Sequence, residues 1–370
     1  MKIFNSIFFS TCTWLLMSCN SPQSYLNKAV DVMMENSINK NSIDWVKFKS
    51  DVFKRGKDAK NIQETYPAIR FALKQLGDHH SRFWEPGELG MRLSADQPVP
   101  EIKSELINGN IGYIQIPGFM GIDSRAQKFA QQIQDKIKEL DKNNIQFWIV
   151  DLTNNNGGTI MPMLLGIGPL LGEGVAGFLV NSENIYSKWA YSNGIAVHDD
   201  STYQMKLANP YRLRNEIKKL AVIISRKTGS GGEALAVPFK GTKNSCFIGQ
   251  PTSGASSGTL VYELSDGAVI LFANSNFADR NKNIYGIPIQ PDITVPFMDE
   301  KKSMDKVNTY NGADNHYGNS QLPDVTKKTF RVNSFADRTK EINEAFLCRA
   351  KKTAVEWIYK GEKKQGLEPK

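Results

Sequence analysis

The stretch Leu220-Ala221-Val222-Ile223-Ile224-Ser225-Arg226-Lys227-Thr228-Gly229-Ser230-Gly231-Gly232-Glu233 joins an apolar run to a glycine-rich turn. The apolar run reads as a strand buried on both faces, and a helix is expected from about Gly231. A strand feeding directly into a helix is the repeating unit of a parallel sheet. The flanking sequence repeats it. Ile111 to Ile116 and Phe147 to Val150 read as strands. Phe129, Ile133, Ile137 and Leu140 place one apolar stripe on a helix starting near Asp123, and Thr159 to Leu171 reads as another helix. Downstream, shorter strands are expected at Leu260–Leu264, Ala268–Phe272 and Asp292–Val295, with Asp266-Gly267 turning the first two into a hairpin. The fold class is α/β, a mixed, mainly parallel sheet flanked by helices.

Around this core, residues 24–82 carry helical spacing: Ile43 to Phe48 with Val52-Phe53 mark one amphipathic helix, and Tyr66, Ile69, Leu73 and Leu76 another. Asn61 and Glu64 supply capping chemistry before the second. Residues 183–216 are aromatic and polar without clear period and are expected to form a small cap inserted in a core of 100–298. Residues 299–330 read as a flexible polar linker, and 331–370 as a C-terminal helix. Composition agrees with a folded chain: of 370 residues, 40% are hydrophobic and 23% charged. Collagen-like, coiled-coil and wholly disordered classes are excluded. Lys and Arg exceed Asp and Glu by 46 to 38, and the basic pairs lie far apart with few aromatics among them. No nucleic-acid partner is implied.

Residues 1–18 read as a secretion signal, with Lys2 before the apolar run Ile7 to Met17. Leu16-Met17-Ser18-Cys19 resembles a bacterial lipoprotein signal, in which Cys19 is acylated and 19–23 form a tether. A plain signal peptide with an incidental cysteine is the alternative. The lipoprotein reading implies an exported protein anchored by lipid to the cell envelope, in the periplasm or at the outer membrane. Cys246 and Cys348 are expected to be buried free thiols, and no metal-ligand spacing occurs. Ile160 to Val180 holds one charge, Glu173, but contains Pro162, Pro169 and five glycines, so a core helix followed by a turn fits better than a membrane span.

Ser230 sits where a nucleophile gains most. A tight turn at a strand's carboxyl end exposes the hydroxyl, and the next helix presents unpaired N–H groups and a partial positive charge to a developing oxyanion. The same residues can equally serve only as an N-cap. Asp151-Leu152-Thr153-Asn154-Asn155-Asn156-Gly157-Gly158 follows another apolar strand, and its glycines either turn amides toward the nucleophile or merely form an Asn/Gly loop.

Taken together these segments resemble the S41 serine peptidases, the C-terminal-processing and tricorn-core family. Residues 151–158 match its Asp-Leu-Arg-x-Asn-x-Gly-Gly loop, with Thr153 in place of Arg. Ser230 and Glu233 match Ser-x-x-Glu, Gly249 to Gly254 match Gly-x-x-Thr-x-Gly, and Gly286-Ile287 with Pro291-Asp292 match the closing strand. The resemblance spans about 110–296 and implies a core of crotonase-like ββα units. In the processing branch a lysine base follows the Thr-containing segment; here that position is Ala255, and no lysine occurs between Lys243 and Lys282. Asp78-His79-His80-Ser81 instead resembles the Asp-Gly-His-Ser/Thr segment of the tricorn-like and nisin-resistance-protein-like branch. His80 takes the base position, with His79 the runner-up; His198 and His316 are expected at the surface. Only about thirty residues separate His80 from the strand at Ile111, too few for the PDZ domain of the processing branch.

The resemblance implies a serine endopeptidase acting on peptides or unfolded protein tails. Ser230 would attack, His80 would move the proton, and Gly231 with Gly157 or Gly158 would hold the oxyanion, without metal or cofactor. Glu233 is expected to be a structural anchor, Asp78 a turn residue, and no third catalytic member can be assigned. A noncatalytic peptide- or lipid-binding lipoprotein on the same scaffold is the competing reading.

Overall fold

The computed structural model describes residues 21–94, 96–199, 203–297 and 335–360. The expected signal, Cys19, His316 and the linker at 299–330 lie outside the described residues. The chain opens with α1 (Pro22–Asn36), α2 (Trp45–Gly56) and α3 (Tyr66–Gln75). Ser21 caps α1 by accepting the Ser24 amide at 3.1 Å, with Pro22 starting the helix. The tether expected to reach Gln23 is therefore already helical at Pro22. Asp44 caps α2, and Asn61 accepts the Glu64 amide ahead of α3, as its spacing implies.

Next come β1 (Arg82–Trp84), α4 (Glu88–Leu93), β2 (Lys103–Ile107), β3 (Ile111–Gln115), α5 (Asp123–Asp141) and β4 (Phe147–Asp151). They are followed by α6 (Ile160–Leu171), β5 (Gly174–Asn181), β6 (Tyr186–Ser192), β7 (Ile195–His198) and β8 (Tyr203–Lys206). The rest is β9 (Lys219–Ile224), α7 (Gly231–Lys240), β10 (Ser245–Gly249), β11 (Ser257–Glu263), β12 (Val269–Asp279), β13 (Ile293–Thr294) and α8 (Phe335–Tyr359).

Among the described residues one sheet runs β13-β10-β9-β4-β3-β2, parallel except for the β2–β3 pair. This is the expected mainly parallel sheet. Helices cover both faces: α5, α6 and α7 pack on Trp148, Val150 and Val222, and α8 packs Phe346, Ala350, Ala354 and Ile358 on Tyr113, Ile149 and Ile223. Adjacent residues of β4 thus serve opposite faces, which is why its sequence is apolar throughout. Gly112 makes room for the neighbouring indole, since a Cβ there would lie 2.6 Å from the Trp148 ring.

The second sheet is antiparallel. It runs β1-β12-β5-β6-β7-β8, with β11 also paired to β12. The segment expected to cap the core (183–216) instead supplies β6, β7 and β8 to this sheet. Trp189 and Tyr191 alternate inward against α6, an every-second-residue pattern hidden by the mixed aromatic and polar texture around them. Gly174–Asn181, expected as a turn after α6, is a full strand. The sheet's other face receives α1, α2 and α3 on Phe83, Leu264, Ile270 and Phe272. The result is five layers, alternating helix and sheet, with β12 contributing to both of its neighbours. Cys246 is buried in β10 as expected, whereas Cys348 is exposed, because the face of α8 that meets the sheet is built from Phe346, Ala350 and Ala354 instead.

Candidate active site

Ser230 stands at the start of α7 with φ 52° and ψ −118°, a left-handed conformation that non-glycine residues rarely hold. Its surroundings enforce it. The turn from β9 is stitched to the loop after β4: Thr228 Oγ1 donates to Leu152 O, Ser225 Oγ to Thr153 O, and Gly229 N to Asn155 O at 2.9 Å. Added side chains would break this fit, since a Cβ on Gly232 would lie 2.3 Å from Asn155 O.

Glu233 anchors the other side. Its buried carboxylate accepts from Ser230 N (3.0 Å), Gly254 N (3.0 Å), Ser256 Oγ (2.8 Å), Ser253 Oγ (3.2 Å) and Thr252 Oγ1. Those donors satisfy a carboxylate that would otherwise be costly to bury. The motif residues Thr252 to Gly254 are therefore tied to the Ser230 turn.

His80 arrives from the N-terminal helices. Gly77 ends α3 with φ +74°, and Asn39 Nδ2 donates to Leu76 O. Asp78 then builds a turn, accepting from His80 N (2.8 Å), Ser81 N (2.7 Å) and Ser81 Oγ (2.7 Å), the turn role expected of it. β1 follows at once and pairs with β12, Arg82 opposite Leu271.

The imidazole ends against Ser230, with Nε2 2.8 Å from Ser230 Oγ. Its other nitrogen, Nδ1, lies 2.9 Å from Ser257 Oγ. Burial holds the His80 ring below the ordinary histidine range; Asp78 pulls it up, Arg82 pushes it down and hydrogen bonding with the Ser257 backbone raises it, but burial prevails. A neutral ring beside a hydroxyl is the state a general base needs. His79 is exposed, and His198 lies on β7 against Ser187.

The glycine loop divides in two. Gly157 N donates to Asn155 Oδ1 at 3.1 Å, so the amide expected as a possible oxyanion donor is already engaged inside its own loop. Among the described residues, Gly158 N and Gly231 N have no intramolecular acceptor, and they lie together: a Cβ on Gly231 would stand 3.1 Å from Gly158 N. Gly158 has φ +116° and packs on Phe119, whose carbonyl accepts Thr159 N. At the loop's base, buried Asp151 accepts from Tyr113, Gln115 and the Thr153 amide.

A cavity of about 630 Å³ opens beside this loop, bordered by Gly157, Gly158, Met91, Arg92, Phe119 and Arg125. Arg125 fastens its walls by donating to Ser94 O (2.9 Å) and Met120 O (3.3 Å). No group of His, Cys, Asp and Glu suited to a metal occurs among the described residues.

Sequence reasoning did not foresee Ser257 or Asn155 as parts of the site. Ser257 is one of several serines after Ala255, and only the pairing of β11 with β12 brings it under the histidine.

Comparison with known proteins identifies the family. The profile of peptidase family S41 matches residues 110–295. The chain is 33% identical over 276 residues to the nisin-resistance protein of Lactococcus lactis subsp. lactis, covering 74% of this chain and 83% of that one. It is 24% identical over 232 residues to the carboxy-terminal processing protease CtpA of Bacillus subtilis (strain 168), covering 62% of this chain and 45% of the relative. Among solved structures, a lipoprotein from Streptococcus agalactiae superposes with a TM-score of 0.60 at 20% identity, over 84% of this chain and all (100%) of the other. The photosystem II D1 C-terminal processing protease superposes with a TM-score of 0.51 at 17% identity, over 74% of this chain and 93% of the other. With its fold, its motifs and a relative at this level of identity in agreement, the chain belongs to peptidase family S41 and is a serine peptidase, acting on peptides or proteins.

Proposed function

We propose that the protein is an endopeptidase in which Ser230 and His80 form the catalytic dyad. As Ser230 Oγ bonds to the scissile carbonyl carbon, its proton passes to His80 Nε2 and the carbonyl oxygen becomes an oxyanion held by the Gly158 and Gly231 amides. Collapse breaks the C–N bond while His80 returns the proton to the leaving amine. Water then attacks the acyl-serine with His80 again as base, releasing the acid and restoring Ser230. The observation that carries the reading is the 2.8 Å contact between the buried His80 ring, at Nε2, and the half-buried Ser230 Oγ. A noncatalytic scaffold would have no need of a strained serine facing a neutral imidazole.

The substrates suggested are peptides or unfolded protein tails, entering beside the cavity at Gly157 and Gly158. Turnover of an unfolded, reduced and alkylated protein, followed by mass spectrometry of the fragments, tests this. Internal cleavage is expected, and His80→Ala should lower kcat by at least about 10²-fold. Full turnover in both Ser230→Ala and His80→Ala would refute the dyad.

The lipoprotein reading of Cys19 belongs to the same proposal. No described helix is long and apolar enough to cross a membrane, and the segment from Leu16 to Cys19 leads almost directly into α1. Anchoring by lipid in the cell envelope predicts incorporation of labelled palmitate, lost in Cys19→Ala together with membrane association. Palmitate-free protein in the membrane fraction would argue against it.

A further inference from the structure

We propose that Ser257 is a positioning residue for His80: its hydroxyl oxygen accepts the Nδ1 proton, fixing the tautomer in which Nε2 offers its lone pair to Ser230. This rests on Ser230 and His80 being nucleophile and base as argued above.

A neutral imidazole has one N–H donor and one acceptor. If Nε2 takes the proton of Ser230, Nδ1 must carry the ring's own proton, and the partner 2.9 Å from Nδ1 is Ser257 Oγ. The Asp78 carboxylate is occupied by the backbone and hydroxyl groups of its own turn. Among the described residues no carboxylate bonds to the ring, so orientation falls to a neutral group. The Nδ1 proton stays on His80 throughout, and Ser257 keeps its own.

Ser257 is built to hold still. It is 8% exposed, begins β11 and stands opposite Asn276 of β12, the strand that also pairs with β1 just past His80. Its neighbour Ser256 donates to Glu233, which in turn accepts Ser230 N. One frame thus fixes orienter, base and nucleophile. The charged groups around the ring are Asp78 and Arg82 from its own segment, with Glu233 reached through Ser256 from α7. A hydroxyl orients without adding negative charge, so the imidazolium formed during attack gains less from it than from a carboxylate.

The test uses the full chain. In ¹⁵N-histidine-labelled wild-type protein at neutral pH, His80 should show the Nδ1–H tautomer, assigned by the signal lost in His80→Gln. Ser257→Ala should lower kcat by about 10- to 100-fold with KM little changed, the scale expected when a reacting group is misaimed by a fraction of an ångström to 1 Å. Ser257→Thr, which restores a hydroxyl, should recover most of that loss. Ser257→Asp should move the acidic limb of the rate profile to higher pH, because a carboxylate would favour the charged ring. An Nε2–H tautomer in wild-type protein overturns the proposal even if the variants fail to fold. So does a folded Ser257→Ala with unchanged kcat and unchanged acidic limb. Should Ser230→Ala keep full turnover, it is the dyad that fails; inactive Ser230→Ala beside wild-type-like Ser257→Ala removes only the positioning role.

Discussion

His80 Nε2 lies 2.8 Å from Ser230 Oγ across 150 positions of sequence. The two come from different layers: His80 follows the N-terminal helices, while Ser230 opens a helix packed between the two sheets. Assembly of the proposed dyad therefore depends on how the helical region docks on the antiparallel sheet. That docking is fixed partly by the β11–β12 turn, where Asp266 accepts hydrogen bonds from Tyr25 (2.7 Å) and Tyr66 (2.5 Å).

Asp266→Ala should consequently lower activity without touching the dyad. Burial pushes the Asp266 carboxyl up, but hydrogen bonds from Tyr66, Tyr25 and the Ala268 amide outweigh it and hold it below the ordinary aspartate value of 3.8. The stabilisation is full above that value and fades as pH falls through the lower folded-state value. Thermal melts of wild type and variant should differ at neutral pH and converge at strongly acidic pH.

The pH–rate profile follows from His80. Because burial keeps the ring below the ordinary 6.5, the acidic limb of kcat/KM should have its midpoint below that value. The unfolded ring protonates first on acidification, so His80 should also cost folding stability as pH drops below 6.5. Measuring kcat/KM on a model peptide across the acidic range checks the first, and melts of wild type against His80→Gln check the second.

Gly158→Ala should lower turnover sharply. Its φ of +116° disfavours any side chain, and a Cβ would stand 2.0 Å from Phe119 O, so the loop must shift and carry its amide away from Gly231 N. Loss of one oxyanion donor costs about 10²–10³ in kcat. Kinetics with a peptide substrate should show that drop with the rest of the protein still folded by circular dichroism.

Glu233→Ala should destabilise the whole chain. It leaves the Ser230 and Gly254 amides and the hydroxyls of Thr252 and Ser256 without their acceptor. Each orphaned buried group costs about 1–3 kcal/mol, so a loss of at least about 3 kcal/mol is expected in denaturant unfolding. An unchanged midpoint would show that the carboxylate is not the anchor described.

Local chemistry made much of the site legible in sequence. The apolar run before Ser230, the paired glycines after Asp151 and the Asp-His-His-Ser turn each announce a backbone feature within a few residues. Ser257 does not, since its role exists only through the pairing of β11 with β12. Gly157 and Gly158 look equivalent in sequence, and only the Asn155 side chain, folding back onto the Gly157 amide, separates them. The second sheet was hidden for a related reason. β6 to β8 bury only alternate residues, and a half-exposed antiparallel ribbon resembles loop texture more than the continuously apolar β4 and β9 do.

The dyad is tested most directly by labelling the folded protein with a serine-directed phosphonate and locating the adduct by peptide mapping. One adduct on Ser230 is predicted, absent in Ser230→Ala and in folded His80→Ala. A folded wild-type protein that takes no label, or His80→Ala labelled as fast as wild type, would contradict it.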